Sequence, residues 1–153
     1  RYPEYAMLAT DLPDGTVMDG EILPFKENRP LPFQVLQTRI GRKSVTAQAV
    51  KKAPVVFVAY DLLEHAGTDV RGWPLVERRL LLEKLIGTER AALRLSPLVP
   101  FAAWPDLEVA RQQARAMHSE GLMLKRKSSV YRDGRRRGDW WKWKVDPFTV
   151  DAV

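Results

Sequence analysis

The segment from Val55 to Leu63, VVFVAYDLL, limits the possible folds more than any other stretch of this 153-residue chain. It is rich in β-branched and aromatic residues, and apolar side chains fall on both faces of the strand that it would form. Such a segment is typical of a central strand in a sheet that is covered on both faces. Tyr60 and Asp61 mark the polar end of this strand. The Tyr60 ring there either stacks on a base or belongs to the core.

Helical patterns alternate with further strands along the rest of the chain. Apolar spacing and proline or glycine punctuation predict helices at residues 3–11, 33–40, 44–53, 74–86 and 107–117, with Ser44 as an N-cap. Strands are predicted at residues 16–23, 92–99, 120–125 and 140–144, and loops at 25–32 and 64–73. This order predicts an α+β domain, with antiparallel or mixed sheets packed against helices.

Positive charge is concentrated near the C-terminal end of the sequence. Between Lys125 and Lys144 there are nine Lys or Arg residues and two acids, whereas the whole chain has a net charge of +6. The basic character is therefore one patch, which favours a polyanionic partner. Within this patch the run Arg135-Arg136-Arg137 either contacts a phosphate backbone or is solvated charge on a loop.

The pentapeptide Trp140–Lys144, WWKWK, has a two-faced pattern if it forms a strand. Alternation puts Trp140, Lys142 and Lys144 on one face, with Trp141 and Trp143 on the other. Buried indoles would hold the strand rigid, with the two ammonium groups about 6 to 7 Å apart, a spacing that suits neighbouring phosphate oxygens. The alternative is an edge strand with a solvated lysine face that discourages aggregation.

Two other strands carry acidic residues. Glu120 precedes the apolar run that ends at Lys125, and a divalent cation between Glu120 and a phosphate would explain a carboxylate near several lysines. Alternation puts Glu120 and Lys125 on opposite faces, so Glu120 either lies just before the strand or follows a bulge. In TVMDGEIL, Asp19 and Glu21 share a face, and Glu21 either binds a sugar hydroxyl or cation or faces solvent. An ordinary surface glutamate is the alternative for Glu120.

Several classes of protein and site are excluded or disfavoured by composition. The chain has no cysteine, so disulfides and thiolate zinc sites are excluded, and its two histidines, His65 and His118, cannot form a metal site alone. No apolar run approaches the roughly 20 residues that span a bilayer, and no signal-peptide pattern opens the sequence. We therefore expect a soluble, intracellular protein with no membrane partner, and its length suits one globular domain.

Four motifs occur in the order found in one enzyme family. They are DGE at 19–21, FVAYDLL at 57–63, EGLMLKR at 120–126 and WWKWK at 140–144. The ordered set resembles the nucleotidyltransferase motifs of ATP-dependent DNA ligases, and the continuation VDPFTVDAV is similar to the bacterial type. The resemblance implies a nucleotidyltransferase (ATP-grasp-like) fold. RNA ligases and messenger-RNA capping enzymes share the motif scheme and are the alternative.

The resemblance also implies a reaction and a set of roles. A lysine attacks the α-phosphate of ATP, AMP passes to the 5′-phosphate of nicked duplex DNA, and the 3′-hydroxyl displaces AMP. Glu21 would contact the AMP ribose or a metal, Tyr60 would stack on adenine, and Glu120 would hold Mg²⁺. The α-phosphate contacts would come from Lys125, Lys142 and Lys144. DNA contacts would come from Arg126, Lys127, Arg135, Arg136 and Arg137. The setting would be DNA repair, replication or recombination in the bacterial cytoplasm, at the nucleoid.

One family motif is missing from the sequence. The nucleophilic lysine of these enzymes lies in Lys-x-Asp-Gly, and this tetrapeptide occurs nowhere in the chain. Leu12 and Tyr131, for example, stand where the pairs Asp14-Gly15 and Asp133-Gly134 would need that lysine. The arginine that follows the nucleophile and the C-terminal OB-fold are also not found. Residues 1–153 are therefore interpreted as part of an adenylation domain, and we expect no enzyme-AMP from this polypeptide alone. A non-catalytic, basic nucleic-acid-binding fragment is the other reading.

Overall fold

The computed structural model describes residues 2–87, 90–134 and 137–147. Five α-helices lie among them: α1 (Leu8–Asp11), α2 (Phe33–Gln37), α3 (Ala47–Lys52), α4 (Leu75–Ile86) and α5 (Trp104–Gln113). The strands are β1 (Val17–Lys26), β2 (Arg29–Pro30), β3 (Val55–His65), β4 (Thr68–Asp69), β5 (Leu93–Leu95), β6 (Gly121–Lys125) and β7 (Trp140–Lys144). Short 3₁₀ helices occupy Pro3–Tyr5 and Ala114–Met117. The α+β prediction is confirmed.

Strand β3 is the centre of the larger sheet. It pairs antiparallel with β1 and β4 and parallel with β5, and β2 extends the sheet beyond β1. Helix α4 packs against β3, and the core between them is formed by the buried residues Ala59, Leu62, Val70, Leu82, Ile86 and Leu93. The apolar run from Val55 therefore forms the central strand that its composition predicts.

The buried face of α4 differs from the predicted apolar stripe. The sequence predicts an apolar stripe of Leu75, Val76, Leu80, Leu81, Leu85 and Ile86 that covers the sheet. In the structure Leu75, Arg78, Leu82 and Ile86 are buried, whereas Val76 and Leu80 are exposed. The spacing of the buried residues is still helical, but one position on the core face is an arginine. Arg78 is accommodated there because Asp61 on β3 lies opposite it.

Strands β6 and β7 form a separate two-stranded antiparallel sheet. Lys125 lies opposite Trp140, Met123 opposite Lys142 and Gly121 opposite Lys144. Directly opposed residues share one face of a sheet, so Lys125 lies on the same face as Lys142 and Lys144. Glu120 lies just before β6, which is the first of the two arrangements that its sequence position allows. Gly121 has φ of 140°, and a Cβ atom there would lie 2.2 Å from the Trp143 carbonyl oxygen.

Two hairpins were not predicted, and both replace part of a predicted loop. β1 continues through Phe25 to Lys26 and turns back into β2, and β3 turns into β4. The turn residues Glu27 and Asn28 both have positive φ, as do Ala66 and Gly67. Two consecutive positive φ angles are typical of the two-residue turns that join antiparallel strands. Glu-Asn and Ala-Gly lack the Asn-Gly or Asp-Gly signature that would reveal such turns in a sequence.

The remaining differences concern the ends of elements. The helix predicted at residues 3–11 is divided into a 3₁₀ helix and α1, and the strand predicted at 92–99 is only β5. Thr46, rather than Ser44, caps α3, because its side chain accepts a hydrogen bond from the Ala49 N–H at 3.2 Å. Within the described residues, no helix has the length and apolar character needed to cross a membrane.

Candidate functional site

Tyr60 stands at an irregularity in the pairing of β1 with β3. Asp19 lies opposite Asp61, but the next residue, Gly20, lies opposite Ala59, so Tyr60 has no directly opposed residue on β1. A bulge of this kind re-aims a side chain and is common beside active sites. Gly20 is tightly enclosed, since a Cβ atom there would lie 2.5 Å from the Val58 carbonyl oxygen.

Asp19 fixes the ring of Tyr60 through its hydroxyl group. The Tyr60 hydroxyl donates to Asp19 Oδ1 at 3.0 Å, and the Tyr131 hydroxyl donates to Oδ2 of the same carboxylate at 2.8 Å. Burial, followed by the Asp19 charge, raises the pKa of Tyr60 well above its usual range. Burial and the Asp19 hydrogen bond raise the pKa of Tyr131 to about 12. Both phenols are therefore neutral donors near pH 7.

The ammonium of Lys125 lies between two aromatic rings. Its Nζ atom is 4.3 Å from the centroid of Tyr60 and 3.8 Å from that of Trp140. No hydrogen-bond acceptor for this buried Nζ occurs in the described part of the chain. Burial lowers the pKa of Lys125 to about 8, although the carboxylates of Asp61 and Asp19 act in the opposite direction. The ammonium is held by ring faces and nearby negative charge, and its three donors have no acceptor among the described residues.

The indole of Trp140 is supported at its edge. Its Nε1–H donates to Ser129 Oγ at 3.2 Å, and the ring meets Tyr131 edge to face with centroids 5.8 Å apart. Because Tyr131 also binds Asp19, the two rings beside the Lys125 ammonium are connected through one carboxylate.

A buried ion pair anchors the loop that carries Ser129. Asp61 and Arg78 are both 0% exposed and form two hydrogen bonds, at 2.8 and 2.9 Å. Arg78 Nη1 also donates to the carbonyl oxygens of Trp73 and Ser129. The first backbone N–H groups of α4, those of Leu75 and Val76, donate to the carbonyl oxygens of Ser129 and Lys127. The loop after β6 thus caps α4, which has no side-chain cap of its own.

A second charged group lies at the other end of the β6–β7 hairpin. Lys144 Nζ is 2.8 Å from Glu120 Oε2, and this hydrogen bond, followed by the charges of Lys144 and Lys142, lowers the pKa of Glu120. Both side chains of the pair are largely exposed. They line an open cleft of about 480 Å³ with Arg115, Ser119, Val145, Asp146 and Pro147. Four residues of strand, about 13 Å, separate this group from Lys125.

Helix α5 holds the end of β7 in place. Arg111 is nearly buried, donates to the Lys144 carbonyl oxygen at 2.6 Å and lies over the Trp143 ring at 5.3 Å. Its guanidinium also binds the carboxylate of Glu108 on the same helix. These contacts fix the backbone at Lys144, while its ammonium stays accessible.

The predicted site residues therefore form two groups rather than one hollow. Tyr60 and Lys125 are in contact, while Glu120 pairs with Lys144 near Lys142, at the other end of the hairpin. Glu21 is exposed on β1 opposite Val58, and its charge acts on Tyr60. The motif resemblance leads us to expect that Glu21, Tyr60, Glu120 and the paired lysines line one hollow sized for a nucleotide. That expectation is corrected here, because the cleft contains Glu120 and Lys144 but neither Tyr60 nor Glu21.

The tryptophan arrangement also differs from the expectation. Trp141, expected to be buried, is 46% exposed, and Trp143 is half-buried against Arg111 and the edge of Trp104. Trp140, on the lysine face, makes the closest contact with Lys125. The face that carries the lysines is thus also aromatic at one end, because the strand begins with an indole on that side.

The predicted DNA contacts lie between β6 and β7 in the sequence. Arg126 is exposed and forms an ion pair of 3.6 Å with Asp139, and Lys127 and Arg137 are also exposed. Arg135 and Arg136 lie outside the described residues. The described members of this set are therefore accessible to a polyanion.

Carboxylates that could bind a metal are few. The described residues contain no cluster of three or more Asp, Glu or His side chains suited to a metal ion. Mg²⁺ commonly uses one or two carboxylates together with phosphate oxygens and water, so exposed Glu120 and Glu21 suit a nucleotide-bound ion rather than a protein-only site.

Four important residues were not predicted to be in the site. Asp19 shares the DGE segment with Glu21, and strand alternation puts Trp140 beside the lysines. The sequence could therefore have indicated both Asp19 and Trp140. Ser129 and Tyr131 lie in an irregular loop, where no periodicity shows which side chains turn inward.

Comparisons with known proteins give a consistent family match. The family model described as ATP dependent DNA ligase domain matches residues 2–144. The DNA ligase of Archaeoglobus fulgidus is 34% identical over 139 residues, which are 91% of this chain and 25% of that protein. The probable DNA ligase of Opitutus terrae is 35% identical over 181 aligned residues, covering 100% of this chain and 18% of that protein. The chain thus spans a quarter or less of the length of these two relatives.

Solved structures give the same match at the level of the fold. The ligase domain of M. tuberculosis LigD superposes with a TM-score of 0.70 at 32% identity, covering 94% of this chain and 43% of that one. A mycobacterial DNA ligase D complexed with ATP and MES gives 0.67 at 32% identity, covering 93% and 43%. A Lig E DNA ligase, at 24% identity and 0.60, covers 84% and 46% and supports the fold alone.

Proposed function

Because this chain belongs to the ATP-dependent DNA ligase domain family, we propose that it is the nucleotide-handling part of an enzyme that seals nicks in duplex DNA. The observation that carries the proposal is the Lys125 ammonium. It lies against Tyr60 without an oxygen partner in the described chain, on the same hairpin face as Lys142 and Lys144. Three cations on one face suit an oligophosphate, and the ring beside them suits a base.

The proposed roles follow the two groups of the site. Tyr60 stacks on adenine, with its hydroxyl held by Asp19, and Glu21 contacts the ribose or the metal. Lys125, Lys142 and Lys144 bind the phosphates and offset the charge that develops on the α-phosphoryl oxygens as pyrophosphate leaves. The attacking amine belongs to the Lys-x-Asp-Gly motif of the family, which these 153 residues do not contain. They therefore represent part of an adenylation domain.

Glu120 is the proposed ligand for Mg²⁺, with Glu21 as a second carboxylate. Glu120 is exposed, and in the structure it pairs with Lys144. A bound ion would bring positive charge between the carboxylate and the nucleotide phosphates and leave Lys144 free to bind a phosphate oxygen.

The segment between Lys125 and Trp140, called the basic loop, is the proposed DNA contact. Arg126, Lys127 and Arg137 are exposed, and Arg135 and Arg136 add charge to the same segment of the sequence. Side chains of this kind bind the phosphate backbone without reading bases, as sealing at any sequence requires. Repair, replication or recombination of DNA at the bacterial nucleoid is the proposed setting.

We expect Tyr60→Leu to weaken ATP binding about tenfold, because base stacking on an aromatic ring contributes roughly 1 to 3 kcal/mol. Isothermal titration of the 153-residue chain with ATP and Mg²⁺ measures the effect. Tyr2→Leu is the matched control, since Tyr2 packs against Arg39, away from the site. Equal affinities of the two variants would refute the adenine role of Tyr60.

Salt-sensitive DNA binding without any ATP binding would instead favour a basic nucleic-acid-binding module.

We also expect no covalent labelling of this polypeptide by ATP. The phosphates can bind, but the sequence lacks the Lys-x-Asp-Gly amine that attacks the α-phosphorus. Incubation with α-labelled ATP and Mg²⁺, followed by denaturing electrophoresis, tests this, and a labelled protein band would contradict it.

In a protein that joins this chain to a Lys-x-Asp-Gly segment, sealing of nicked DNA rather than RNA ends would separate DNA ligase from RNA ligase or capping activity.

A further inference from the structure

Ser129 is a buried serine in the basic loop, and the roles proposed above do not use it. It is 4% exposed, whereas its neighbour Ser128 is exposed. The Ser129 hydroxyl donates to the Arg126 carbonyl oxygen at 2.8 Å and accepts from Trp140 Nε1 at 3.2 Å. The hydroxyl therefore connects the backbone of the loop to the first residue of β7.

The backbone of Ser129 is fixed independently of its hydroxyl. Its carbonyl oxygen accepts from Arg78 Nη1 at 3.1 Å and from the Leu75 N–H at 2.8 Å. Arg78 is bound in turn by Asp61, the residue next to Tyr60 on β3. The position of Ser129 is thus set by the same strand that carries Tyr60.

Trp140 is the link between Ser129 and the ammonium. The Lys125 Nζ atom lies 3.8 Å from the centroid of Trp140 and 4.3 Å from that of Tyr60. A rotation of the indole would remove one of these two faces, and water would reach the ammonium from that side. The hydrogen bond from Nε1 to Ser129 opposes this rotation.

We propose that Ser129 is a positioning residue of the nucleotide site: its hydroxyl orients Trp140, and the oriented indole holds the Lys125 ammonium beside Tyr60, ready for phosphate oxygens. The inference rests on the proposed function for its nucleotide part. The claim that Ser129 orients Trp140 concerns the protein without nucleotide. It can therefore fail separately from the claim that Lys125 binds phosphate.

The test compares Ser129→Ala with Ser128→Ala in the 153-residue chain. Ser129→Ala removes only the hydroxyl and keeps both bonds to the carbonyl, so a folded protein is expected. We expect ATP to bind about threefold to tenfold more weakly, the loss of one modest hydrogen bond. In the nucleotide-free protein the pKa of Lys125, followed by NMR of labelled lysine, should move from about 8 towards its ordinary value of 10.5. Ser128→Ala should change neither quantity.

A second variant removes the same hydrogen bond from the Trp140 side and leaves Ser129 unchanged. Trp140→Phe retains an aromatic ring but has no N–H to donate, so it should reproduce the effect of Ser129→Ala. The double variant should lose little more than either single one, because both remove the same bond. If the pKa of Lys125 is the same in the Ser129 and Ser128 variants, the positioning role is overturned. If that pKa rises but ATP affinity is unchanged, Ser129 does position Lys125, and the proposed phosphate contact of Lys125 fails instead.

Discussion

An Arg78→Met variant is expected to lose about 3 to 5 kcal/mol of unfolding free energy, because it leaves a buried carboxylate without its partner. Asp61 and Arg78 are both fully buried and joined by two hydrogen bonds. The variant also removes the donor to the carbonyl oxygens of Trp73 and Ser129. Urea denaturation followed by circular dichroism measures the loss.

Arg71→Met is the matched control for this prediction. Arg71 forms an ion pair with Asp69, but both side chains are about half-exposed, so its loss should cost less than about 1 kcal/mol. A double variant with Asp61→Leu and Arg78→Met should be more stable than Arg78→Met alone, since it removes the unpaired charge. Equal stability of the Arg78 and Arg71 variants would show that the buried pair contributes little.

Lys125→Met is expected to weaken ATP binding about 100-fold and, at the same time, to stabilise the protein. An ammonium bound to phosphate in a partly dry site contributes on the order of 3 kcal/mol, and methionine supplies none of it. Without nucleotide, however, the ammonium is desolvated, and its folded pKa of about 8 lies below the ordinary 10.5. The unfolded chain therefore binds the proton more strongly, and stability at neutral pH is reduced.

The pH dependence distinguishes these two effects of Lys125. Wild-type affinity for ATP should fall as the pH rises through about 8 and continue to fall above it, because only the charged amine binds phosphate. Wild-type stability should rise over the same interval, from about pH 8 to 10.5, and the thermal advantage of Lys125→Met should shrink. Asp19 and Asp61 favour the charged amine, whereas Arg78 and Arg79 oppose it. Affinity that is independent of pH from 7.5 to about 9.5 would contradict a phosphate contact by Lys125.

Local patterns sufficed to predict the central strand and the main helices. The run from Val55 is apolar on both faces, and this property depends only on its own residues. The two short hairpins were missed because their turns, Glu27-Asn28 and Ala66-Gly67, use positive φ angles at residues that only partly favour them. The order of apolar and polar side chains does not show that these residues have positive φ angles.

The buried face of α4 was mispredicted for a different reason. Periodicity assigns a charged residue to the solvent side, yet Arg78 occupies the core side because Asp61, 17 residues earlier, is buried opposite it. A pairing of this kind depends on how α4 packs against β3. That tertiary contact cannot be predicted from a single sequence.

The site was predicted in part for similar reasons. Strand alternation correctly gave Lys142 and Lys144 a common face, and the hairpin register adds Lys125 to it. The aromatic surroundings of Lys125 were not foreseen, because Tyr60 reaches it through a bulge in the β1 and β3 pairing. Ser129 was not foreseen either, since an irregular loop has no repeat from which burial can be read.

The contacts at the start of helix α4 affect the order in which the chain can fold during its synthesis. Its first amides, at Leu75 and Val76, find their acceptors at Ser129 and Lys127, which are made much later than the helix itself. While the nascent chain emerges, those amides can be satisfied only by water, and the side chain of Arg78 lacks one of its final acceptors. The first turn of the helix is therefore completed only after the loop that contains Lys127 and Ser129 has left the ribosome.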